Sequence, residues 1–153
     1  MGGRGAFGKV RVLSDDELEE LEWRLDVSKD LKQSRLEVKE RLLGKEIHTE
    51  KFDEHCTGLI KLNSNGLNDV LCNRHSPSSK RKWALERLYR KKLRMSYAGY
   101  EDLDPNSHNL AEKLKKGFTG FNKYSFSFRG DNFVLKTAII KGKYETPYYI
   151  YEK

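Results

Sequence analysis

Between Tyr124 and Arg129 the chain alternates strictly, with Tyr124, Phe126 and Phe128 set against Ser125, Ser127 and Arg129. That period of two belongs to a strand with one buried face. "RGDN" follows as a tight hairpin signal, "NFVLKTAII" reads as a second strand, and "KGKYETP" is a longer connection to a third, "PYYIYE". The spacing predicts an antiparallel three-stranded meander at the end of the chain.

Upstream the period becomes helical. In "SDDELEELEWRL", Ser14 can accept from the Glu17 amide while Glu17 reaches back to the Ser14 amide, and Asp15 and Asp16 suit the positive end of a helix dipole. Helical composition continues through "LKQSRLEVKERLLG", where Gly44 is a natural terminator. "TGLIKLN" predicts a short strand, and "SNGLNDVLCNRH" a turn leading into a short helix with Leu67, Val70 and Leu71 inward.

"SPSSKRKWALERLYRKKLRMSY" predicts a longer helix, capped by Ser76 with Pro77 in its first turn. Leu85, Leu88, Tyr89 and Leu93 share one side of it, and Lys80, Arg87, Lys91 and Arg94 recur on the other. A loop, "AGYEDLDPNSH", and a short helix, "NLAEKLKKG", then lead to the meander. The expected fold is α+β: N-terminal helices followed by a small antiparallel sheet, with the long basic helix packed on one face. A flexible arm over residues 1–13, a helical segment over 14–56 and an α+β domain over 57–153 are the expected divisions.

A chain of 153 residues has room for one compact core. Its net charge of +7 implies an anionic partner, most commonly nucleic acid, although an acidic protein or a membrane surface also fits. Residues 14–54 carry fourteen acidic and eight basic side chains, so the positive excess lies elsewhere. Residues 74–94 hold nine cations and a single acid, Glu86, which points to phosphate contacts along the basic helix through Lys80, Arg87, Lys91 and Arg94. No apolar run is long enough to span a bilayer and Met1–Lys9 has no signal-peptide core, so a cytoplasmic protein without a membrane partner is expected. Cys56 and Cys72 are the only cysteines, which suits a reducing compartment.

His55, Cys56, Cys72 and His75 contain the donors of a zinc site, but adjacent His and Cys on an extended chain point to opposite faces. No metal or other cofactor is expected, and no nucleotide-binding or nucleophile-elbow motif is present. The stretch before the meander is more informative. His108 offers an imidazole that could serve as acid or base, and Lys113, Lys115, Lys116 and Lys123 follow closely, with Arg129 and Lys136 able to project from the sheet. A general acid or base beside fixed cations is what metal-free cleavage of RNA requires. A surface histidine among solubilising lysines has the same spacing. Tyr149 or Tyr151 could add a hydroxyl donor or a stacking ring.

From Leu59 onward the order of "IKLNSNGLNDVL", a long helix, a loop carrying "SH" and "KYSFSFRGDNFVLKTAIIKGKYETPYYIYE" resembles the Barnase-EndoU-Colicin-RelE-like ribonuclease superfamily. The small versions, similar to BrnT-type toxins of phage and mobile elements, are the nearest in form. The resemblance implies helices on a twisted antiparallel sheet, with RNA bound on its exposed face and cleaved without metal. His108 matches a histidine before the first meander strand, and Tyr149 a terminal aromatic. The chain departs from the pattern in showing no distinct glutamate base on the sheet.

The leading expectation is a metal-independent endoribonuclease of a bacterial host cell that leaves a 2′,3′-cyclic phosphate. His108 would be its acid or base, with Lys113, Lys116, Arg129 and Lys136 as transition-state cations and Tyr149 as auxiliary donor. An immunity, antitoxin or host protein is a possible partner. The alternative is a phage-encoded module that binds nucleic acid or a host protein without chemistry.

Overall fold

In the computed structural model, which describes residues 11–72 and 78–153, the Ser14 capping box forms as its sequence dictates. Ser14 Oγ accepts from the Glu17 amide at 3.2 Å, and the Glu17 carboxylate accepts from the Ser14 amide at 3.2 Å. Helix α1 (Asp15–Ser28) ends where Asp30 caps a second helix, α2 (Leu31–Leu42), so the helical stretch divides in two. Gly44 follows at φ +82°, a left-handed conformation that suits its position beyond the helix.

Strands β1 (Lys45–His48) and β2 (Leu59–Leu62), helices α3 (Ser64–Cys72) and α4 (Ser79–Arg90), strand β3 (Ser96–Glu101) and helix α5 (Leu110–Lys115) come next. The meander closes the chain as β4 (Phe118–Phe128), β5 (Asp131–Ile140) and β6 (Tyr144–Glu152). Ser76, Pro77 and His75 lie outside the described residues, as do residues 1–10 of the arm, and the observed N-cap of α4 is Ser78.

The fold is α+β, with helices packed on a sheet larger than the expected meander. Six strands run in the order β1-β2-β6-β5-β4-β3, antiparallel except where β2 meets β6. The stretch read as a loop after the basic helix supplies β3, an edge strand paired to β4. The segment read as helical before residue 57 ends in β1, the opposite edge.

One hydrophobic core joins the N-terminal helices to the rest. Trp23, Val38 and Leu42 pack in the same cluster as Trp83, Leu85, Tyr124, Phe126, Phe133 and Ile150. Helix α4 is its centre, and every residue from Lys82 to Leu88 is buried.

That burial corrects the cationic-face expectation. Arg87, read from spacing as solvent-facing, is 1% exposed and donates to Asp26 at 2.6 Å and Glu86 at 2.7 Å. Lys80 pairs with Asp131 at 2.9 Å, and Lys91 with Glu19 at 3.9 Å. The acids missing from the helix's own sequence come from α1 and the sheet, so most of this charge is spent holding α1 and the meander to α4. Of the four residues expected to contact phosphate, Arg94, beyond the helix end, lines an open cleft. No helix among the described residues is long and apolar enough to cross a membrane.

Candidate functional site on the exposed sheet face

Alternation along the meander sorts its residues. Tyr124, Phe126 and Phe128 turn toward the helices, so Lys123, Ser125 and Ser127 turn away from them. On that outer face Lys123 lies opposite Lys136, and Lys136 opposite Tyr149. Strand β3 adds Glu101, whose carboxylate receives Lys136 at 3.1 Å and Lys123 at 3.2 Å. Partial burial opposes ionisation of Glu101, but the hydrogen bonds and charges of Lys136 and Lys123 outweigh it and hold the carboxyl below its ordinary value. A carboxylate and two ammonium groups from three adjacent strands thus meet on one face.

Sequence reasoning missed Glu101 because β3 was read as a loop. Strict alternation in "SYAGYE" is broken by a bulge between Tyr97 and Gly99, which also hides the strand's pairing pattern.

An aromatic floor adjoins this centre. Phe118, Phe121 and Tyr148 form a small second core, with Phe121 and Tyr148 centroids 4.9 Å apart. Lys136 Nζ lies 4.5 Å from the Phe121 centroid, and Lys113 Nζ, from α5, lies 5.7 Å from the same ring. Burial pushes the Tyr148 phenol up, with the Asp69 and Glu101 charges adding to the shift, so it remains a donor at neutral pH. Tyr149 and Tyr151 are half-buried neighbours, 5.8 Å apart between centroids.

Lys113 also ties the histidine loop to this floor. Its Nζ reaches Ser107 Oγ at 3.5 Å, and Ser107 directly precedes the exposed His108. The structure therefore brings Lys113, Lys123, Lys136 and Tyr149 to one face, with His108 exposed on the loop that Lys113 joins through Ser107. Farther along the same face, Ser96, Ser125, Ser127 and Asn132 line a cleft of about 550 Å³ with Arg94 and Lys153.

Two expected members are elsewhere. Arg129 occupies the tight turn after β4 and reaches back to α1, with Glu19 at 3.5 Å and Glu20 at 3.6 Å. Its turn position, at φ 51°, directs it to the acids of α1 and away from the strand face on which alternation had placed it. Lys116 pairs with Glu112 at 3.7 Å and acts on Asp69 of α3, while Lys115 is exposed on α5.

Comparison with protein-family models, curated proteins and solved structures finds no match to this chain. The site must therefore be argued from its own chemistry.

The inner side of the sheet holds a second polar group, sealed from solvent. Glu145 is fully buried and accepts from Tyr124 Oη at 2.8 Å, Thr137 Oγ1 at 2.6 Å and Thr57 Oγ1 at 2.8 Å. Tyr97 donates to Asn122 at 3.0 Å, and Asn122 donates to the His55 carbonyl at 2.9 Å, which fastens the loop after β1 across the sheet. His55 stacks on Tyr100 at 3.6 Å while its neighbour Cys56 is buried, so the two side chains diverge. This group supports the fold from beneath the exposed face.

Proposed function

We propose that the chain is a metal-independent endoribonuclease that draws single-stranded RNA across the exposed face of its sheet. The observation that carries this reading is Glu101 set between Lys123 and Lys136 on that face. A carboxylate on the sheet is the part that the chain's resemblance to ribonuclease-like domains lacked.

In this reading Glu101, ionised at neutral pH, takes the proton of a ribose 2′-hydroxyl. The freed oxygen attacks phosphorus, the bond from phosphorus to the 5′-oxygen breaks, and His108, as general acid, supplies a proton to the departing oxygen. The products are a 2′,3′-cyclic phosphate and a free 5′-hydroxyl. Lys136 and Lys123 stabilise the charge that builds on the phosphoryl oxygens, and Tyr148, Tyr149 and Tyr151 offer phenols and ring surfaces to the nucleotides. Ser125, Ser127 and Arg94 extend the polar track beyond the centre.

The test is incubation of the pure protein with end-labelled single-stranded RNA in EDTA. Cyclic-phosphate products are expected, with Glu101→Gln and His108→Ala each lowering the rate by about 10²–10⁴-fold, the range of a lost general acid or base. Absence of product, or undiminished cleavage by Glu101→Gln, defeats the catalytic reading.

A second reading, binding without cleavage, is favoured by the engagement of Glu101 with both lysines, which occupies its oxygens. It requires uncut RNA bound with an affinity that falls steeply as salt rises.

A further inference from the structure

The two ends of the strand order, β1 and β3, line one groove. A cavity of about 910 Å³ opens between them, floored by the last turn of α4 and the turn that follows it. Both edge strands of the six-stranded sheet therefore border one opening.

Among the described strands, each bank is paired on one side only. Thr49 donates to Gly58 at 3.0 Å, and in the same antiparallel register Lys45 and Ile47 face Leu62 and Ile60. Alternation then turns the amides and carbonyls of Glu46 and His48 away from β2, toward the groove. On the other bank β3 pairs with β4 on one side only.

Side chains of both banks line the groove. Ile47 on β1 and Tyr97 on β3 turn inward, where Leu88, Leu93 and Met95 form an apolar floor and Phe52 stacks parallel to Tyr97 at 6.3 Å. Glu46 and His48 turn outward on one bank, Ser96 on the other. The β1 bank is acidic through Glu46 and Glu50; the opposite bank is basic through Lys92 and Arg94.

We propose that this groove receives an extended segment of a partner protein, added as a strand between β1 and β3. Main-chain hydrogen bonds to the free edges supply affinity. Apolar side chains at alternate positions enter over the floor, and the residues between them face solvent, a basic one beside Glu46 and an acidic one beside Arg94. A free edge is a standing invitation to pair, and here two such edges share one site.

The experiment pans a display library of random decapeptides on the intact protein, then measures binding of synthesised hits by fluorescence anisotropy. Enriched peptides are expected to alternate apolar and polar positions and to lack proline at the centre. His48→Pro removes an outward amide while sparing the bonds to β2, and should weaken binding at least tenfold. Wild-type protein with a peptide N-methylated at alternate residues should show the same loss, which guards against a misfolded variant. Glu46→Lys should reject peptides carrying lysine at outward positions. The proposal is overturned if no peptide enriches over a blank surface, if hits lack alternation, or if N-methylated peptides bind as tightly. A wild-type dimer dissociated by Glu46→Lys would give the groove to a second copy of the chain, and would overturn it too.

Discussion

Replacing Arg87 by methionine is the most direct probe of how this chain spends its charge. The side chain is 1% exposed and bridges Asp26 and Glu86, whose side chains are 6% and 2% exposed. Removing one partner of a buried ion pair costs about 3–5 kcal/mol, because the charge left behind has no water to return to. Methionine preserves much of the apolar stem, so the loss should fall in that range and not include a large cavity. Trp23 and Trp83, the only two tryptophans, have rings 5.4 and 5.6 Å from the Arg87 guanidinium, so tryptophan fluorescence during urea unfolding reports the site.

The pH dependence adds a sign. Burial opposes ionisation of Asp26, yet hydrogen bonds from Arg87 and Lys29 outweigh it and keep the carboxyl below its ordinary value. In the parent, the resulting stability is complete above that ordinary value and fades as pH falls through the folded one. Without Arg87 the carboxyl shifts upward, so the variant's deficit should be largest at pH 7 and shrink toward pH 4. A neutral-pH loss below about 1 kcal/mol, the size expected of an exposed pair, or a deficit that grows on acidification, would refute a buried structural role. So would RNA affinity lost at unchanged stability.

Other outcomes follow from the same coordinates. Arg129→Ala should leave the cleavage rate within about threefold and cost at most about 1 kcal/mol in urea unfolding, since its partners are half-buried acids at the solvent edge of α1. Lys82, fully buried with Nζ donating to the Val70 carbonyl at 2.5 Å, has its pKa lowered by burial to about 8. Between there and the ordinary 10.5 the unfolded chain binds the extra proton, so stability should rise with pH by up to about 1.4 kcal/mol per unit, and Lys82→Met should abolish that rise in alkaline urea titrations. A Cβ at Gly120 would lie 2.4 Å from Tyr100 Oη; Gly120→Ala should cost about 1–3 kcal/mol through overpacking, read as a lower thermal midpoint. Ser14→Ala should remove about 1 kcal/mol by unmaking the N-cap of α1, and equal stability would contradict the capping geometry.

Local signals carried the elements whose chemistry is local. The Ser14 box, Gly44, the "RGDN" hairpin and the alternation of β4 each announce a conformation within a few residues, and each formed. Strand β1 was hidden because four residues with one inward apolar side chain, Ile47, give no periodic signal. Strand β3 was hidden by its bulge, and with it Glu101. The faces of α4 were misjudged for a different reason: besides Glu86, the acids that neutralise it lie more than 60 residues earlier, in α1, or on the meander, and no helical window contains them. The outer-face grouping of Lys123, Lys136 and Tyr149 was legible from period two. The departure of Arg129 was not, because one residue beyond the strand the pleat no longer governs direction.

The pairing of acidic α1 with the cations of α4 has an effect at long range. It leaves the two helices largely neutralised by each other, while the outer sheet face carries Lys123 and Lys136 about the single carboxylate of Glu101. A polyanion diffusing nearby would feel the field of those lysines more than that of the paired helices. Added salt should shorten the reach of that field and slow capture well before it loosens a strand already seated.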